Sequence, residues 1–136
     1  MNSKRFESLS KKVYELALQS SGIADSQYRL AAIMVNKKGI IVSKGTNSYK
    51  THPLFKKFYK YPYHHAEGSC IINRGINNID SSDIIFVARV GKKDTLLLAK
   101  PCKSCQELIR FVGIREVYYS NANGVFEKMI LEAENE

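Results

Sequence analysis

The chain has 136 residues, 44% of them hydrophobic, and its 21 Lys and Arg against 13 Asp and Glu leave a formal charge of +8. That length suits one domain, residues 1–136, with a core large enough to need no disulfide staples. Three cysteines do not make a secreted disulfide framework. No stretch approaches the roughly 20 apolar residues that span a bilayer, and the N-terminus lacks a signal peptide's apolar segment, so a cytoplasmic protein without membrane association is expected.

Taken in chain order, residues 4–20 place Phe6, Leu9, Val13, Leu16 and Ala17 at helical intervals, which predicts an amphipathic helix ended by Gly22. Residues 30–36 and 40–43 are short apolar runs joined through Lys37-Lys38-Gly39, a β-hairpin pattern. The segment 48–63 is rich in Lys, Tyr, Phe and Pro, and structureless segments of that length are often functional. It leads into a predicted helix over 64–74. Residues 84–90 form a nearly continuous apolar run, as a central strand buried on both faces requires. Gly91-Lys92-Lys93-Asp94 then predicts a turn, with 95–99 returning towards Pro101. A second helix follows, with Leu108, Ile109 and Val112 as its apolar stripe and Gly113 as its stop. Residues 116–120 read as a strand, and the short connection into it favours a parallel arrangement. Residues 125–134 are expected to finish the chain as a helix.

Two short strings carry the chemistry: His65-Ala66-Glu67 and Pro101-Cys102-Lys103-Ser104-Cys105. Structural zinc is usually closed by four protein ligands, whereas catalytic zinc keeps three and leaves a position for water. His65, Cys102 and Cys105 make three. Zinc lowers the pKa of a bound water from about 15.7 to roughly 7, and Glu67 is a spare carboxylate able to move protons. Within a helix over 64–74, His65 and Glu67 would stand about 200° apart, which suits different jobs. Cys102 and Cys105, at i and i+3, fall on one helix face. Pro101 fits a helix start, where its missing N–H costs nothing, and the helix dipole there favours thiolate. A redox pair or half of a structural zinc site is the plainer reading of Cys-x-x-Cys, but neither explains His65 and Glu67. Cys70 reads as a buried apolar thiol. His64 reads as a pocket-wall or solvent-facing residue, and His52 as a plain loop residue, with approach to a substrate phosphate as the alternative.

The combination H-x-E with P-C-x-x-C resembles the zinc-dependent cytidine and deoxycytidylate deaminase superfamily, with the likeness running from about residue 28 to 119. The resemblance implies a three-layer α/β/α fold with a central mixed sheet of about five strands. It also implies one zinc ion on His65, Cys102 and Cys105, with Glu67 as proton shuttle. Asn47, in Gly45-Thr46-Asn47 after an apolar strand, matches a substrate-contacting asparagine of the family, although a plain turn role is the alternative. Ala66, Pro101 and Tyr119 are implied near the substrate, and a homo-oligomer is expected. The turn at 91–94 departs from relatives in which the central strand runs almost directly into P-C-x-x-C.

The charge is compatible with phosphate-bearing partners. Most basic residues occur as scattered pairs on what should be a solvated face. Between Lys50 and Tyr63, however, lysines interleave with aromatics, a pattern that can stack bases and neutralise phosphates or serve inward packing or self-association. A small-molecule nucleotide, most simply dCMP, is the expected substrate. A base within RNA or single-stranded DNA is the second reading, and a noncatalytic zinc module the third.

Overall fold

Asn2 starts the first helix, α1 (Ser3–Gln19), by accepting the Arg5 N–H on its side-chain oxygen at 2.8 Å. Leu9, Val13 and Ala17 are its fully buried residues, so the apolar face expected from the spacing is the face that packs. The computed structural model describes residues 1–20, 29–47, 57–58 and 65–132. Gly22, expected to end α1, lies outside them.

Strands β1 (Arg29–Val35) and β2 (Ile41–Thr46) form the expected antiparallel hairpin. Its turn is held by Asn36, whose Oδ1 accepts the N–H groups of Lys38 and Ile40 at 2.9 and 3.0 Å, while Gly39 takes φ +80. Strand β3 (Ile84–Val90) pairs antiparallel with β1 and parallel with β5 (Glu116–Ser120). The β5 pairing covers 84–87 of β3, and the short β4 (Leu96–Leu97) takes over opposite Arg89 and Val90. Arg29 ties the intervening turn to the sheet, donating to Gly91 O at 2.8 Å and pairing with Asp94 at 2.5 Å.

The strand order is β2-β1-β3-β5-β6, where β6 is Phe126–Ile130, with β4 beside β3, giving a six-stranded mixed sheet. Three α-helices flank it among the described residues. Period-two alternation assigns the two faces. Ala31, Ile33, Val35, Phe86 and Ala88 pack towards α1, while Ala32, Met34, Ile85, Val87 and Val117 pack with Cys70, Leu108 and Ile109 on the opposite face. This is the expected three-layer arrangement. It has six strands instead of about five: the return leg of the 91–94 turn pairs as β4, and residues 126–130 pair as β6.

The helix expected over 125–134 is not present: Phe126–Ile130 is β6, antiparallel to β5. The overriding signal is the preceding turn. Asn121 Oδ1 accepts the N–H groups of Asn123 and Val125 at 2.9 and 3.1 Å, and Gly124 adopts φ +78. An Asn-Gly pair between two strand-length segments is the strongest short-range hairpin signature. None of the described helices is long and apolar enough to cross a membrane.

Gly45 is the point where β2 meets the opposite layer. A Cβ there would stand 2.6 Å from the carbonyl oxygen of Ala66 and 2.8 Å from the carbonyl carbon of Ser69, and closer still to the Cys70 nitrogen. These are helix backbone atoms with no rotamer to escape into. Gly45→Ala should therefore cost about 3 kcal/mol, lowering Tm on the order of 10 °C. A thermal melt matching wild type would contradict this close approach.

Candidate metal and active site

Helix α2 (Ala66–Arg74) and helix α3 (Lys103–Phe111) point their N-termini at the same place. His65 is the N-cap of α2, with extended backbone at φ −75, ψ 154, and Cys102 is the N-cap of α3 at φ −66, ψ 167. His65 thus precedes the helix instead of lying inside it, and the 200° separation from Glu67 does not apply. The division of labour survives for another reason. His65 projects from extended chain, whereas Glu67 projects from the first helical turn.

The start of α3 is braced locally. The Gln106 N–H donates to Cys102 O at 2.9 Å, and its side-chain Nε2 donates to Pro101 O at 2.8 Å. This fixes the Pro101-Cys102 corner and leaves Cys105 one turn into the helix. Ligand atoms of His65, Cys102 and Cys105 all lie within 4.8 Å of one another. His65 Nδ1 is 3.9 Å from Cys102 Sγ. Tetrahedral zinc with its usual bond lengths separates such atoms by roughly 3.5–3.8 Å, so the three donors fit one zinc ion after a small contraction.

The electrostatics agree with that fit. The Cys102 thiol is lowered to about 4, first by its hydrogen bond with Cys105 and then by its contact with His65, despite some burial. His65 is raised by its hydrogen bond with Cys102, against the opposing effect of burial. Two helix N-termini add positive potential for the thiolates. Glu67 is 3% exposed, and burial pushes its carboxyl above the usual range. Cys70, by contrast, is pushed up to about 12 by burial and has the inert environment expected of a core thiol.

A cavity of about 180 Å³ opens on this cluster, with His65, Glu67, Cys102, Arg89, Leu98 and Lys100 on its wall. A larger groove of about 410 Å³ runs beside α1. Glu15 is its only described lining residue of a metal-ligating type, so the chemistry belongs to the smaller cavity. Asn47, Ala66, Pro101 and Tyr119 are not among the described wall residues. Asn47 is 7% exposed and accepts the Leu30 N–H on Oδ1 at 3.2 Å, extending the β1–β2 ladder beside the wall residue Leu30. Ala66 is buried between His65 and Glu67, and Pro101 is buried between Lys100 and Cys102. Tyr119 belongs to the core cluster that also holds Ala66 and Cys105.

His52 and His64 fall outside the described residues, as does most of the Lys50 to Tyr63 segment. Its described pair, Lys57 and Phe58, packs on α3: Lys57 Nζ is 4.5 Å from the Phe111 ring centre and Phe58 5.3 Å from it.

Three residues around the site had no assigned role in the sequence. Arg89 and Lys100 stand on the cavity wall. Ser120 is fully buried at the end of β5, and its hydroxyl donates to Leu97 O at 2.7 Å while accepting the Arg89 N–H at 3.3 Å. Its carbonyl accepts the Ala99 N–H at 2.8 Å. Ser120 therefore pins the chain just ahead of Pro101. The one sequence signal was Arg89 itself, a charge inside an otherwise apolar strand. Ser120→Ala should cost about 1–3 kcal/mol, because it strands buried backbone groups. A denaturant midpoint unchanged from wild type would contradict that anchoring role.

The fold has solved relatives. It resembles the dCMP deaminase of cyanophage S-TIM5, determined in complex with dCMP and dUMP, at 20% identity and TM-score 0.62 over 89% of this chain and 84% of that one. Cytidine deaminase from Burkholderia pseudomallei matches at 17% identity and TM-score 0.67, covering 96% and 94% of the two chains. Cytidine deaminase from Mycobacterium leprae matches at 18% and 0.58, covering 91% and 92%. No curated protein sequence matches. The model of the cytidine and deoxycytidylate deaminase zinc-binding region matches residues 3–121. With that match spanning most of its length and a His/Cys/Cys cluster at two converging helix starts, the chain belongs to the cytidine and deoxycytidylate deaminase family of zinc enzymes.

Proposed function

We propose that this protein deaminates a cytosine-bearing nucleotide hydrolytically, converting dCMP to dUMP and releasing ammonia. The observation that carries the proposal is a buried carboxylate, Glu67, on the wall of a cavity shared with two members of a three-ligand metal cluster. His65, Cys102 and Cys105 would hold zinc, which when bound supplies the Lewis acidity that makes water nucleophilic near neutral pH.

Glu67 does the proton work. Water adds across the cytosine C4–N3 bond, so its proton must travel to N3, and a second must reach the amine before ammonia leaves. A carboxyl whose pKa is raised by burial is suited to both accepting and returning protons. Asn47, Ala66 and Pro101 are assigned to the surroundings of the base, supported by their adjacency to Leu30, His65 and Cys102. Tyr119 is assigned to the support of the same end of the sheet.

The exposed Phe111, Val125 and Ile130 support self-association. The +8 charge supports the second reading, a base within single-stranded nucleic acid. Affinity for an oligonucleotide that falls steeply with salt would favour it.

The deciding test is an ammonia-release screen of the zinc-loaded protein. Its substrates are cytosine, cytidine, deoxycytidine, their mono- and triphosphates, guanine, adenosine and short oligonucleotides. The largest kcat/KM should fall on dCMP. Release confined to guanine or adenosine would overturn the cytosine assignment.

A further inference from the structure

We infer that Arg89 and Lys100 are the specificity residues that read a 5′-phosphate on the substrate, selecting nucleotide over nucleoside. The inference rests on the deaminase reading above and names residues that reading leaves unassigned.

Register places Arg89 opposite Leu30 on β1. Strand alternation puts it with Ile85 and Val87 on the face that carries α2 and α3. It stands two residues beyond the last β5 pairing, at Val87 and Tyr119, where the short β4 replaces β5 as its neighbour, and it lines the cavity. Arg89 Nη1 lies 3.5 Å from Leu98 O, on the segment that leads to Lys100. That segment is fixed in turn by Ser120 through Leu97 O and the Ala99 N–H. Both cations are therefore carried on pinned backbone, with Arg89 half-buried in the wall and Lys100 exposed beside it.

Size and charge point to the ligand. A void of about 150 Å³ is enough to hold a benzene ring. The cavity of about 180 Å³ takes one six-membered ring and leaves an attached sugar and phosphate at its rim. Zinc with two thiolates and a neutral imidazole sums to zero charge. The remaining described wall has two cations and one carboxylate, and that carboxylate, Glu67, is buried and engaged in proton transfer. Two cations on this wall suit an anionic group at the rim. Arginine offers a planar fork for phosphate oxygens, and lysine a point charge.

The test uses zinc-loaded wild type, Arg89→Gln, Arg89→Lys and Lys100→Gln, each with dCMP and deoxycytidine in parallel. Calorimetric binding of dUMP and deoxyuridine accompanies the kinetics. Wild type should prefer dCMP in kcat/KM. Arg89→Gln should cut that preference about 10- to 100-fold, mainly through KM, as expected for loss of a charge-assisted hydrogen bond. Arg89→Lys should restore part of the preference. Lys100→Gln, at an exposed position that tolerates change, should cut it a few-fold.

A wild-type preference near one, or equal losses on both substrates in every variant, overturns the phosphate assignment while leaving the deaminase reading intact. Absent turnover with Arg89-dependent dUMP binding overturns the deaminase reading alone. Neither turnover nor Arg89-dependent binding overturns both.

Discussion

Glu67→Gln should lower kcat by at least 10²- to 10⁴-fold, the range that a positioned acid–base group contributes, while zinc content stays near that of wild type. The amide keeps the carboxylate's shape but can neither accept the water's proton nor deliver one to N3. Folding should not suffer. Glu67 is 3% exposed and its carboxyl is raised by burial, so exchanging a group that can ionise for a neutral one relieves a desolvation cost. The expected pattern is a Tm equal to or above wild type, unchanged metal analysis and nearly absent ammonia release. Activity close to wild type would remove Glu67 from the mechanism. Loss of zinc together with activity would make it a ligand or a structural residue.

Metal-ligand substitutions should give the opposite pattern, and the two cysteines should differ from each other. Cys102→Ser and Cys105→Ser should both lower zinc per chain from near one towards zero, since three donors leave little redundancy and metal binding is coupled to folding. Cys102 is exposed whereas Cys105 is buried in the core. Serine at 105 therefore also buries a hydroxyl, which costs about 1–3 kcal/mol more if it finds no partner. Melting temperatures should fall in the order wild type, Cys102→Ser, Cys105→Ser. Chelation of wild type should bring it close to Cys102→Ser, without effect on either variant. Full zinc retention in both variants would refute the ligand assignment.

Much of this was legible because it is local or periodic. The strand over 84–90 was bounded correctly by its apolar run, and α1, expected over 4–20 and found over 3–19, was located to within a residue by its spacing of Leu9, Val13 and Ala17. The His65 and Cys102/Cys105 strings announced themselves through residue type and interval. What escaped depends on juxtaposition. Arg89 lies inside a core strand and Ser120 ends another. Neither acquires a role until β5 stops pairing at Val87 and the chain folds back as β4. The 125–134 error was of another kind. Its apolar spacing suits a helix in isolation, but the turn ahead of it, held by Asn121 and Gly124, commits the chain to reverse into a strand. The position of His65 outside α2 shows a third limit, because a motif's spacing does not say which of its members are helical.

The convergence of two helix starts also bears on how the chain is tethered. His65 and Cys102 are 37 residues apart, and drawing such a span closed in a flexible chain costs about 3 kcal/mol on the usual logarithmic scaling. In the native protein the pairing of β3 with β1 and β5 has already met that cost. An ion held there would act as a removable cross-link, tight on the assembled sheet and weak on the open chain, where only the neighbouring cysteines stay close. Its release on unfolding would then report loss of sheet pairing between β1, β3 and β5, making the metal a gauge of tertiary integrity as well as a reagent.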